Sequence, residues 1–106
     1  MKTPPQIMIN GKKYVMSKPK VKLWRQIIKF QEAYKNGELD GEMIIDEMLG
    51  VIETAFNNTN VTRDAIEENM DFEELARVVG YIREYVTGVP NMKAAQVPNA
   101  VTPARI

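Results

Sequence analysis

Three times between residues 39 and 75 the chain repeats one local device. A capping residue, Asp40, Thr62 or Asp71, is bracketed by apolar residues five apart: Leu39 with Ile44, Val61 with Ile66, and Met70 with Leu75. A short polar side chain there can accept from the free amides of a helix's first turn, and the bracketing pair can pack across the start. Asp71 with Glu74 also has capping-box spacing, with Asp in place of Ser or Thr. Three such starts commit the middle of the chain to short helices packed through their apolar stripes. They predict a second helix from Asp40 to about Phe56, a third from Thr62 to about Asn69, and a fourth from Asp71 to about Thr87. The second helix should bury Ile44, Ile45, Met48, Leu49, Ile52, Ala55 and Phe56. Gly50 interrupts it at a cost of roughly 1 kcal/mol against Ala, and suggests close packing of another helix there. Asn57 to Asn60 form a polar loop.

Upstream, Gln6–Asn10 and Lys12–Met16 flank Asn10-Gly11, the dipeptide that favours a type I′ hairpin turn. Alternation puts Ile7 and Ile9 on one face, followed by Tyr14 and Met16. Ser17-Lys18-Pro19 reads as the start of a first helix, since Pro is tolerated where an amide would lack a partner. Leu23, Trp24, Ile27, Ile28 and Tyr34 carry its apolar period, and Asn36-Gly37 is a left-handed stop. Residues 1–5 read as a disordered lead-in. After Gly88-Val89-Pro90 the period disappears, so 89–106 reads as a flexible tail. The expectation is one mainly α domain over 6–88: three to four helices with an N-terminal β-hairpin.

What the chain lacks narrows its chemistry. With no His and no Cys there is no imidazole base, no thiol nucleophile and no usual zinc ligand. No catalytic, cofactor-binding or metal-binding residues are assigned. The adjacent pairs Asp46-Glu47, Glu67-Glu68 and Glu73-Glu74 diverge on a helix instead of converging. No apolar run is long enough to cross a bilayer, and the N-terminus is not a secretory signal.

Charge is the feature left to carry function. Residues 1–35 hold nine Lys or Arg against Glu32 alone, and residues 36–75 hold twelve Asp or Glu against Arg63 alone, within a net charge of zero. Lys18, Lys22, Arg25 and Lys29 recur at helical spacing on the first helix, and Glu42, Asp46 and Glu53 on the second. An amphipathic helix ordinarily has such a solvated face. The complementary stripes also suit self-association, with identical copies meeting basic face to acidic face. Trp24, Phe30 and Tyr34 among the bases could serve as stacking platforms for nucleic acid. Trp24 fits a core stripe better, however, and the acids nearby oppose phosphates, so nucleic acid is a minor alternative. Of seven methionines, Met43 begins the second helix slightly off its main stripe.

The run IMINGKKYVM followed by KVKLWRQIIKFQEAY resembles the start of tail assembly chaperones from long-tailed phages and prophages of Gram-positive bacteria. In that family a strand pair with a turn such as Asn10-Gly11 precedes a helix carrying a Trp-Arg pair, here Trp24-Arg25, and an acidic helical half follows. The resemblance covers roughly residues 6–88. It implies a non-enzymatic protein that binds the tape measure protein and keeps it soluble while tail tube subunits polymerise. The resemblance also allows the tail tube protein as a further partner. Such a chaperone acts in the host bacterial cytoplasm, often as a homo-oligomer, and is absent from the mature virion. Two rivals remain at this stage: a small nucleic-acid-binding protein using the basic helix, and a structural head–tail component retained in the particle.

Overall fold

A computed structural model describes residues 3–96, with side chains described through residue 88. An antiparallel hairpin of β1 (Gln6–Ile9) and β2 (Lys12–Val15) leads into α1 (Val21–Lys35), α2 (Gly41–Phe56), α3 (Arg63–Asn69) and α4 (Phe72–Gln96). This is the mainly α architecture expected, with four helices after the hairpin.

Asn10 and Gly11 take φ values of 51° and 79°, the two left-handed positions of a type I′ turn. Ile7 then pairs with Tyr14, and Ile9 with Lys12. Ile7, Ile9 and Met16 are buried. A lone hairpin is marginal in water, and this one is tied down at both ends. The Asn10 amide donates to Asn69 Oδ1 at 2.8 Å, and the Ser17 hydroxyl donates to the Ala55 carbonyl at 3.1 Å. Thr3 and Pro5, read from the sequence as part of the lead-in, are bonded to the fold. Pro5 is buried, its carbonyl accepts from the Met16 amide at 2.9 Å, and the Tyr81 hydroxyl donates to the Thr3 carbonyl at 2.6 Å. Met1 and Lys2 lie outside the described residues.

All three capped starts form. Asp40 Oδ1 accepts from the Met43 amide at 2.9 Å, Thr62 Oγ1 from Ala65 at 3.2 Å, and Asp71 Oδ1 from Glu74 at 2.7 Å. The first helix differs. Its N-cap is Lys20, which makes no side-chain cap, so Ser17, Lys18 and Pro19 precede the helix instead of opening it. The bonds of Met16 and Ser17 hold the chain extended beyond β2, and a residue before proline, here Lys18, is itself disfavoured from helix. At its far end α1 closes as expected: Gly37, at φ 72°, donates to Tyr34, and Glu38 to Ala33, which is a Schellman pair.

Helix α2 is the centre of the core. Met48, Leu49, Gly50, Val51, Ile52, Ala55 and Phe56 are buried, and α1, α3 and α4 all pack on it. Val51, outside the expected stripe, is fully buried because partners cover α2 on more than one side. Tyr34 goes the other way and is 63% exposed. Helix α4 runs on to Gln96, past the expected end near Thr87. Gly88 and Pro90, which oppose helix, lie within it, and the good helix formers Met92, Lys93, Ala94, Ala95 and Gln96 follow them. The rest of the expected tail, 97–106, lies outside the described residues.

Urea unfolding followed by circular dichroism checks this hierarchy. Ile52→Ala should cost about 2–5 kcal/mol and Thr62→Ala about 0.5–2 kcal/mol. Tyr34→Ala should stay within about 0.5 kcal/mol.

Candidate functional site

Helices α1 and α4 each lean on α2 but touch one another only sparsely, and an open cleft of about 410 Å³ lies among the three. Phe30 and Tyr34 on α1, Met48 and Val51 on α2, and Phe72 and Val79 on α4 supply most of its apolar wall, with Gln31 and Arg83 as polar members. The Phe30 and Tyr34 rings are tilted at 55° with centroids 6.4 Å apart. The cleft is open because α4 presents Ala76 and Gly80, one turn apart, where larger side chains would close it. A Cβ built on Gly80 meets nothing within 4 Å. Phe72, 61% exposed, joins Tyr34 in leaving aromatic surface to solvent. A concave apolar site with few polar groups is the usual form of a binding site, and a groove between helices can take the apolar face of another helix.

The charged residues fall out differently from their order in sequence. Lys22, Arg25 and Lys29 are exposed on α1 and form no ion pair among the described residues. Lys18 is not on that helix at all. With Lys20 and Lys22 it lines a pocket at the C-terminal end of α2, beside Ala55 and Asn57. The last turn of α2 has no base of its own, so these lysines bring positive charge to the negative end of its dipole.

On the acidic side, Asp46 and Glu53 are paired at the surface with a base of the same chain. Arg63, the lone base among those acids, reaches back from α3 across two turns of α2. Its Nη1 lies 3.8 Å from Asp46 Oδ1 and its Nε 3.5 Å from Glu53 Oε1, and Nη1 also donates to the Asp46 carbonyl at 3.3 Å. Gly50 makes room for this. A Cβ there would come within 3.2 Å of both Arg63 Nη2 and Gln26 Nε2. Close approach at Gly50 therefore comes from the ends of two polar side chains, from α1 and α3, and not from another helix's backbone. Glu42 remains exposed and without an ion pair among the described residues. Trp24 and Phe30 are partly buried against the core, Phe30 with a face toward the cleft, and Met43 is 46% exposed.

The cleft and the Arg63 bridge were not read from the sequence. Their traces were the small residues Ala76 and Gly80 spaced four apart, and the isolation of Arg63 among carboxylates. No described helix is long and apolar enough to cross a membrane.

The fold is a hairpin-led helical one with an open apolar cleft and, among the described residues, exposed bases that form no ion pair. Residues 4–99 match the family model described as phage tail chaperone protein, and the chain belongs to that family. No curated protein and no solved structure matches it. Membership places the protein in phage tail assembly and agrees with the resemblance carried by the hairpin and Trp24-Arg25.

The Arg63 bridge can be measured directly. A double-mutant cycle of Arg63→Ala with Glu53→Ala should give a coupling of about 0.2–1 kcal/mol, falling with added salt, because both side chains are well exposed.

Proposed function

We propose that this chaperone binds the tape measure protein of its phage and keeps it soluble in the host bacterial cytoplasm while the tail tube assembles, without catalysis. The observation that carries this reading is the apolar cleft between α1, α2 and α4. A long rod-like client exposes apolar helical stripes before the tube encloses it, and a stripe laid between Phe30, Tyr34, Met48 and Phe72 is withdrawn from water. Removing apolar area from water is the main driving force for such association. Aromatic anchors of this kind commonly cost more than about 1 kcal/mol each when truncated. Because the contacts are non-covalent, the client can pass to the tail tube protein as the tube grows, and the chaperone is left out of the finished virion.

Gly80→Leu separates binding from folding. Filling the cleft should abolish solubilisation of a co-expressed tape measure protein, read as its soluble fraction. Stability should hold or rise by up to about 1 kcal/mol, because Gly is the poorer helix former. A variant that is stable and still solubilises the client would overturn the cleft as its site. A wild-type chain that fails to solubilise it would overturn the function.

A further inference from the structure

The molecule carries a third concavity, away from Gly80 and Arg83. It is a groove of about 380 Å³ at the junction of α2, α3 and α4, floored by Ile45, Leu49, Met70 and Phe72 and rimmed by Glu42, Asp46, Glu67 and Asp71, with no basic residue in its lining. Of the rim, Asp46 is engaged by Arg63 and Asp71 caps α4. Glu42 and Glu67 are exposed and make no ion pair among the described residues. The matching chemistry sits on α1, where Val21, Arg25 and Lys29 fall within about 80° of one another on the helix. Val21 is 69% exposed, and both bases lack an ion pair among the described residues. An apolar side chain flanked by cations is the complement of an apolar floor flanked by carboxylates.

We propose that the Val21–Arg25–Lys29 face of one copy docks in the acid-rimmed α2–α3–α4 groove of a second copy. The two patches belong to different elements of one chain and form no ion pair with each other, so both are available to a second molecule. A contact between two different patches is heterologous and leaves one of each free at the ends, so it propagates as an open chain unless the rotation closes a ring. Phe72 lines both this groove and the client cleft. A docked neighbour therefore stands beside the cleft, and successive copies can present client sites in a row. The interface needs no client and stands independently of the tape measure reading.

Sedimentation of the full chain alone, at low and high salt, is the test. The wild type should assemble at low salt and dissociate as salt screens the rim. Arg25→Glu/Lys29→Glu should be monomeric at both, as should Glu42→Lys/Glu67→Lys, with circular dichroism unchanged because all four residues are exposed. Mixed in equal amounts, the two variants should assemble again into mixed chains, since native bases meet native acids at one contact and the reversed charges meet at the next. A monomeric wild type at low salt, a variant that assembles like the wild type, or a mixture that stays monomeric would overturn the interface. So would a gel shift of generic duplex DNA that Arg25→Glu/Lys29→Glu abolishes while both variants assemble normally, since the basic face would then serve nucleic acid.

Discussion

The burial of α2 on more than one side is the constraint from which the rest of the fold follows. Met48 to Ile52 are five consecutive buried residues, and no single partner can cover a helix through that much of its circumference. Helices α1, α3 and α4 therefore gather round one element, and the hairpin packs beside them on α3; each contributes a few apolar side chains, and Ile9, Leu23, Ile66 and Ile82 are all nearly inaccessible. Helices placed around a common axis diverge from one another, and where α1 and α4 diverge the gap must be filled by side chains or left open. Ala76 and Gly80 leave it open. The exposed apolar surface at Tyr34 and Phe72 is thus a direct result of how α2 is covered and of two small residues on α4.

Electrostatics acts at a second level, deciding which charges remain for partners. Arg63 neutralises two carboxylates on α2 through exposed contacts that contribute little to stability. Its effect is on distribution: the acidic character of the surface moves away from Asp46 and Glu53 toward Glu42 and Glu67. The seat for Arg63 is Gly50, whose helix-propensity cost is of the same order as the pairing it permits. Lys18, Lys20 and Lys22 at the end of α2 likewise answer a local dipole. Segregated charge along the chain therefore overstates segregation in space, and Arg25 and Lys29 are among the exposed bases left without an ion pair among the described residues.

Local signals were readable wherever the physics was local. Asn10-Gly11 needs two left-handed residues and so marks its turn, and a side-chain acceptor at Asp40, Thr62 or Asp71 acts within one helical turn. The start of α1 was misplaced because it depends on non-local bonds: Ser17 is held by Ala55, 38 residues away, and no spacing in the chain encodes that. Val51 and Tyr34 were misassigned for a related reason. A stripe analysis assumes one buried face per helix, whereas α2 has partners on several sides and α1 leaves its last turn beside an open cleft. The cleft itself was illegible because it is made by what is missing from α4, and small residues in a helix ordinarily signal close packing instead.

The size of the cleft bears on how such a chaperone can work at all. A volume of about 410 Å³ admits a few side chains of a client helix, not a long segment. Binding by one copy must then offset lost translational and rotational freedom with little buried area, and is weak. On the proposed reading, many copies on one long client would convert the later contacts into effectively intramolecular ones, so that the coat would hold although each contact exchanges freely. A deeper, tighter pocket would solubilise a client as well, but it would resist displacement by tube subunits advancing along the same rod. On the proposed reading, the shallow cleft and the salt-sensitive contact between copies are suited to the same need: a cover that forms along the whole client yet can be removed one subunit at a time.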